Sequence, residues 1–325
     1  MIHIATNFSE LSLNNLTRML PKESFTFHDF AEVLSNRLLA AKCHGLLISI
    51  YPQVDSNLIA DFHNLKFVAT PTTGLTHIDT ELLEKMNIEI LSLKNFTSQL
   101  SEVTSTPELA WGLLISIWRK IALASRAYQL NSDLKIRNEF SSLQLSGKTI
   151  GIIGFGRIGR QISKYAAAFN MNVIFYDPYV NNLQDFKGVS KILELEDLLT
   201  QSDVICISAS VLDEDLSKYP IINSRNIYYL KKGAAIVNIA RGIFIDEEVV
   251  AQALRNGNIS GVAVDVLQRE ELLFKGNHES ELEILRDAGF NVLITPHIGG
   301  ICEDAFEIAL TVIAKQIIDF STKGI

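Results

Sequence analysis

Short apolar runs rich in β-branched residues alternate along the chain with stretches whose apolar positions recur every three to four residues. A short apolar run bounded by turn residues reads as a buried strand, and the longer repeat as one face of a helix. Up to about residue 103 this pattern predicts strands at Ile2–Ala5, Gly45–Ile50, Phe67–Ala69 and Ile88–Leu93, with helices at Asp29–Lys42, Ser56–Phe62 and Asp79–Met86. Pro107 to Arg126 reads as one long helix: Pro107 suits a first turn, Glu108 complements the dipole, and Leu109, Leu113, Leu114 and Ile117 repeat at helical spacing. From Lys148 the alternation returns, with predicted strands after Lys148 and at Met171–Tyr176, Val204–Ser208, Ala234–Ala240, Val262–Val266 and Val292–Pro296. Predicted helices follow at Gln161–Ala168, Ile192–Thr200, Asp246–Asn256 and Ala305–Phe320, Asp246 capping one of them and Gly257 closing it. Strand and helix in strict alternation imply parallel sheets covered on both faces. With 325 residues, the expectation is an α/β chain of two doubly wound domains.

One junction carries chemistry. After the run Lys148–Ile153, Gly154, Gly156 and Gly159 stand at G-x-G-x-x-G spacing and open a helical pattern. That order of strand, turn and helix suits a dinucleotide: one glycine for the tight turn, one for close approach of backbone to pyrophosphate, one for helix-on-strand packing. The next strand ends in Asp177, where a carboxylate accepts hydrogen bonds from the ribose hydroxyls and repels a 2′-phosphate. NAD, and not NADP, is the cofactor expected.

Composition narrows the class. The chain is 47% apolar and 20% charged, with net charge −8 and no basic run, which argues against nucleic acid or an anionic membrane as partner. No apolar stretch approaches the roughly 20 residues of a membrane helix. Cys43, Cys206 and Cys302 have neither disulfide nor metal spacing, so reduced thiols, a cytoplasmic setting and no metal are expected. The irregular polar stretch Asn131–Asn138 reads as a connector or subunit-contact arm, and the expected assembly is a homodimer.

Three strand ends offer reactive groups. Arg241 follows the run Val237–Ala240 and could grip a carboxylate bidentately while polarising the carbonyl beside it. His297, framed by Pro296 and Gly299, is a candidate proton shuttle. Asp265 and Glu270 supply carboxylates of the kind that orient a histidine. The loops at Tyr51–Pro52 and Thr70–Gly74 fall where strands should end, which makes them substrate-contact candidates.

In order, "GIIGFGRIGR", Asp177, "VNIARG", "GVAVDVLQRE" and "ITPHIGG" resemble the D-isomer-specific 2-hydroxyacid dehydrogenases, and the likeness extends to "TTGLTHID" and "STPELAWGLL". The resemblance implies a Rossmann NAD-binding domain at 105–297 and a smaller flavodoxin-like substrate domain made of 1–104 plus 298–325. It implies a 2-hydroxy or 2-keto acid substrate, with Arg241 binding it, His297 as acid/base and Glu270 as the histidine's partner. Thr106, Gly154, Gly156, Arg157, Ile158, Gly159, Asp177, Ser208 and Ala240 would line the cofactor, and Asp265 would meet the nicotinamide carboxamide. Tyr51 and the backbone of Thr73 and Gly74 would receive the substrate. The chain departs from the family pattern in several places: Ser208 stands where histidine is common, Glu271 where proline is, the segment leading to His297 is longer than typical, and residues 127–145 lack the tryptophan common before the Rossmann strand. An NADH-sensing binding protein with little turnover is the other reading of the same motifs.

Overall fold

The computed structural model describes residues 1–21, 24–96, 98–130, 134–180, 188–210, 220–270 and 279–323. Two compact units emerge: Met1–Val103 together with the segment from Ile301 onward, and Thr104–Gly300.

The first unit runs β1 (Ile2–Thr6), α1 (Glu10–Met19), β2 (Phe25–Asp29), α2 (Phe30–Ser35), α3 (Arg37–Ala40), β3 (Gly45–Leu47), α4 (Ser56–Ile59), β4 (Phe67–Ala69), α5 (Thr80–Lys85) and β5 (Glu89–Leu91). The C-terminal helix Glu303–Thr322 completes it. All strands pair in parallel, in the order β2-β1-β3-β4-β5. The pleat sends alternate residues to opposite faces. Ile4, Leu47, Phe67 and Ala69 join one core with Leu310, Ile313 and Ile317 of the C-terminal helix, while Ala5, Leu46 and Val68 join another with Val33, Ile59 and Leu83. The strand order reverses between β1 and β3, where ligands sit in such sheets. There the Asn7 amide donates to the Tyr51 carbonyl at 2.7 Å, tying the two strand-end loops together.

Patterning missed two elements here and merged two others. Only Leu16 of α1 is buried, so the helix shows little apolar periodicity; the Ser9 hydroxyl, accepting from Ser12 N–H, starts it. The strand β2 is an edge strand of half-buried residues. The helix predicted over Asp29–Lys42 breaks at Asn36, which leaves helical geometry (φ −133°) to accept from Leu39 N–H and cap a new helix.

Three histidines stack across β1, β2 and the start of β3. His3 Nδ1 lies 2.9 Å from His28 Nε2, and the His3 ring stacks on those of His28 and His44 at 5.2 and 5.9 Å. Burial, then the neighbouring His3, hold the pKa of both His28 and His44 below the ordinary 6.5. Lys42 pushes His28 further down and Glu32 opposes it; the N-terminus and Lys66 act on His44 in the downward direction. The folded state therefore binds fewer protons than the unfolded one, so this contribution is complete above 6.5 and is lost as pH falls through and below it. The thermal midpoint is expected to drop from pH 7.5 to pH 5.5, and the drop to shrink in a His28→Gln/His44→Gln variant. An equal drop in that variant would remove the histidines as its cause.

The second unit runs α6 (Ser105–Trp118), α7 (Ile121–Leu130), a 3₁₀ segment (Leu134–Phe140), β6 (Thr149–Ile153), α8 (Arg157–Ala168), β7 (Asn172–Tyr176), β8 (Val189–Lys191), α9 (Leu195–Gln201), β9 (Val204–Ile207), β10 (Ala234–Asn238), α10 (Glu247–Arg255), β11 (Ile259–Val264), α11 (Glu281–Asp287) and β12 (Val292–Ile294). Its seven parallel strands lie in the order β12-β11-β10-β9-β6-β7-β8. On one face α6 and α8 bring Leu114, Ile117 and Ile162 against Ile150, Ile152 and Cys206; on the other α9 and α10 bring Leu198, Val250 and Leu254 against Ile205, Ile207 and Ile236. Burial on both faces accounts for strands read as continuous apolar runs.

The single helix expected from Pro107 to Arg126 is two. Lys120 takes a left-handed φ of 53°, while Trp118 Nε1 donates to the Leu143 carbonyl (2.7 Å) and Arg119 Nε to Ser142 Oγ (2.9 Å), fastening the break. The short strand β8 and the helix α11 are further elements that patterning missed; α11 starts at a capping box formed by Ser280 and Glu283. Of the segment Asn131–Asn138, residues 131–133 lie outside the described residues, as does Glu271. No helix among the described residues is long and apolar enough to cross a membrane.

Candidate active site

The order of the second sheet reverses between β6 and β9, and the glycine turn follows β6 at that point. Gly154 adopts φ +90°, and a Cβ there would collide with the backbone of Ala209. A Cβ on Gly159 would strike the carbonyl oxygen of Gly154, so glycine alone lets α8 pack down on the turn. Gly156 is the N-cap of α8 and offers no side chain to its first-turn amides, with open space where a Cβ would stand. That leaves the positive end of the helix dipole for an anion.

Asp177 closes the turn from the end of β7. Its Oδ2 accepts from Phe155 N–H at 2.7 Å and its Oδ1 from Tyr179 N–H at 2.9 Å, which fixes the carboxylate's orientation. From the end of β9, buried Ser208 donates through Oγ to the Gly154 carbonyl at 2.8 Å. A cavity of about 420 Å³ opens between these strand ends, and Gly154, Gly156, Asp177 and Ser208 line it together with Pro178 and Asn223. Arg157, Ile158, Gly159, Thr106, Ala240 and Asp265 do not line this cavity. Arg157 sits in the first turn of α8, where burial holds the pKa of its guanidinium down. Shape, amide donors and a fixed carboxylate together fit a dinucleotide without a 2′-phosphate.

The reactive candidates stand at the ends of β10, β11 and β12. Asn238, fully buried, accepts from Ala240 N–H and donates to the Arg241 carbonyl, so the strand end is held from within. Arg241 Nη1 returns to the Ala240 carbonyl at 2.7 Å. Burial lowers the pKa of this guanidinium and the charge of Glu270 opposes the shift.

Glu270 Oε2 lies 3.0 Å from His297 Nδ1, with the two side chains 27% and 21% exposed, sheltered yet open to a small molecule. A carboxylate only accepts, so Nδ1 carries the proton and Nε2 faces away from Glu270. His297 has a left-handed φ of 55°. Its N–H donates to the backbone oxygens of Asp265 (2.9 Å) and Thr295 (3.0 Å).

The Asp265 carboxylate, 1% exposed, accepts from Thr295 Oγ1 (2.6 Å), Ile298 N–H (2.9 Å) and Gly299 N–H (2.8 Å). Burial pushes its pKa up and these hydrogen bonds oppose the rise. Thr106 joins the same loop, donating to the Gly299 carbonyl at 2.8 Å. Arg241, Glu270 and His297 thus share one neighbourhood of the second unit. Tyr51, Thr73 and Gly74 belong to the first unit, where Thr72 Oγ1 donates to the Gly74 carbonyl at 2.8 Å and shapes the loop.

The glycine turn and the strand ends that carry Arg241, Glu270 and His297 thus belong to one parallel α/β sheet. Residues 111–299 match the family described as D-isomer specific 2-hydroxyacid dehydrogenase, NAD binding domain, and the chain belongs to that family. It is 33% identical over 273 residues to D-3-phosphoglycerate dehydrogenase of Methanocaldococcus jannaschii, a match covering 84% of this chain and 48% of the relative. The chain thus spans about half the length of that relative. It is 30% identical over 286 residues to glyoxylate reductase of Pyrococcus horikoshii, covering 85% of this chain and 79% of that protein. Among solved structures, D-lactate dehydrogenase from Aquifex aeolicus, complexed with NAD and lactic acid, superposes with a TM-score of 0.82 at 25% identity, over 99% of this chain and 96% of that one.

Sequence patterns miss the residues that hold this machinery in place. Nothing in the local pattern singles out Asn223 as a cavity wall or Thr295 as a partner of Asp265. Both depend on contacts across the fold.

Proposed function

We propose that this chain interconverts 2-keto acids and D-2-hydroxy acids with NAD(H), using Arg241, Glu270 and His297. The observation that carries the reading is the His297–Glu270 pair, held at 3.0 Å on the same sheet as the glycine turn, with the charge of Glu270 reaching Arg241. NAD(H), when bound, accepts or supplies the hydride. In the reductive direction Arg241 binds the substrate carboxylate and polarises the neighbouring carbonyl, and protonated His297 delivers its Nε2 proton to the carbonyl oxygen. Glu270 keeps the ring oriented and balances its charge before the proton leaves. In oxidation His297 takes that proton back.

The test is NADH oxidation by purified protein with glyoxylate, hydroxypyruvate, 2-ketobutyrate and bulkier 2-keto acids. At least one should consume NADH. NADPH should be the poorer cofactor, because Asp177 is fixed as a carboxylate in the cavity wall. Binding of NADH without turnover of any acid would overturn the dehydrogenase reading, and an NADPH preference would overturn the role given to Asp177. We also propose a homodimer, supported by α7, which buries none of its residues and leaves Ile121, Tyr128 and Leu130 exposed; sedimentation equilibrium giving a monomer would exclude it.

A further inference from the structure

Glu247 is the first residue of α10 and is only 4% exposed, although its neighbour Glu248 faces solvent. A carboxylate taken out of water is costly unless its oxygens are hydrogen-bonded. Here Oε1 accepts from Gln268 N–H and Oε2 from Ser280 Oγ, both at 2.6 Å. Both donors lie far along the chain, and Gln268 stands two residues before Glu270.

The grip on Gln268 is reinforced from either side. Its side chain donates to the Ile245 carbonyl at 2.7 Å. The space where Gly242 would carry a Cβ is filled by the Leu267 carbonyl and the Gln268 nitrogen, so the backbone after Arg241 lies directly against the backbone before Glu270. Leu267 N–H then donates to Glu270 Oε1 at 3.1 Å, leaving Oε2 to His297. The contacts run unbroken from Glu247 through Gln268 and Leu267 to Glu270 and the histidine.

We propose that Glu247 is a positioning residue, one that holds the 267–270 segment in register with the strand end bearing Arg241 and thereby keeps Glu270 on His297. The proposal rests on the dehydrogenase reading for its catalytic consequence. Its structural core does not depend on turnover.

Glu247→Ala removes both acceptors. Glu247→Gln keeps one oxygen for Gln268 N–H, and its NH₂ can donate to Ser280 Oγ, because a hydroxyl can accept as well as donate. The alanine variant should lose about 10- to 10²-fold in kcat for 2-keto acid reduction, the scale of a misplaced catalytic group, with the Kd for NADH unchanged. The glutamine variant should recover most of that loss.

The readout independent of activity is the low-field proton resonance of His297 Nδ1–H bonded to Glu270 in the protein without cofactor, assigned by its absence from His297→Gln. It should vanish or move upfield in Glu247→Ala and persist in Glu247→Gln. If the alanine variant fails to fold, Ser280→Ala, which removes one of the two donors, should shift the resonance in the same sense. A wild-type resonance in a folded Glu247→Ala or Ser280→Ala protein overturns the positioning role whether or not the enzyme turns over. A wild-type protein that shows the resonance and reduces no keto acid overturns only the dehydrogenase reading.

Discussion

Replacing His297 with alanine is expected to lower turnover with 2-keto acids and NADH by about 10²- to 10⁴-fold, the range supplied by a positioned acid/base. The histidine is placed twice over. Its backbone N–H donates to the Asp265 and Thr295 carbonyls, and the Asp265 carboxylate holds the next turns through Ile298 and Gly299. Its ring is held by Glu270. The loss should therefore fall on kcat, with NADH affinity unchanged. One confounding effect is local: at φ 55° an alanine is strained, whereas asparagine tolerates that conformation. His297→Asn should lose as much activity as His297→Ala without its backbone strain. Steady-state rates for both variants, with NADH binding measured by fluorescence, separate chemistry from folding. An undiminished rate in the asparagine variant would remove His297 from the mechanism.

Residues whose reasons are local are legible in the amino-acid sequence. Gly154 must reach a positive φ and Gly159 must admit the turn beneath it, and both demands leave the same trace, a glycine at a fixed offset. Arg241 and His297 follow apolar runs, and strand ends are where parallel sheets place their chemistry. The sheets themselves can be read because both faces are buried. Features decided across the fold leave no such trace. No glycine or proline marks the break at Lys120; Trp118 and Arg119 fasten it through residues more than 20 positions away. Glu247 shares its helix face with Val250, Ala251 and Leu254, which marks it as the inward acid of the pair, but its hydrogen bonds with Gln268 and Ser280 leave no trace in the local pattern. For Asp265, resemblance implies a contact with the nicotinamide, and its hydrogen bonds to the histidine loop leave no mark in the sequence.

Removing the guanidinium of Arg241 is expected to cost about 10²- to 10³-fold in kcat/KM for the keto acid. That is the consequence of losing one member of a buried charge-assisted contact, a cost of about 3–4 kcal/mol. The geometry explains why lysine should not substitute. Arg241 already spends Nη1 on the Ala240 carbonyl, which locks the plane of the group to its own strand end and leaves the rest of a rigid fork for a carboxylate. A lysine ammonium is a flexible point charge with no such plane, so Arg241→Lys should keep cationic charge and still lose most of the activity. Burial lowers the pKa of this guanidinium, but the nearby Glu270 opposes the shift, and arginine starts high enough to stay charged at any working pH. The cation therefore does not titrate with the reaction, and the defect in Arg241→Ala should be the same at pH 6 and pH 9, whereas a lysine in this buried setting loses its proton more readily and its defect should deepen as pH rises. Kinetics over that range, with oxalate or another 2-keto acid mimic as a competitive probe, give the decisive comparison. Both inhibitor affinity and kcat/KM should fall together if the guanidinium holds the carboxylate. A variant that binds the inhibitor as tightly as wild type would place carboxylate recognition elsewhere, and a loss that vanished at one end of the pH range would show that a titrating group does the work assigned to Arg241.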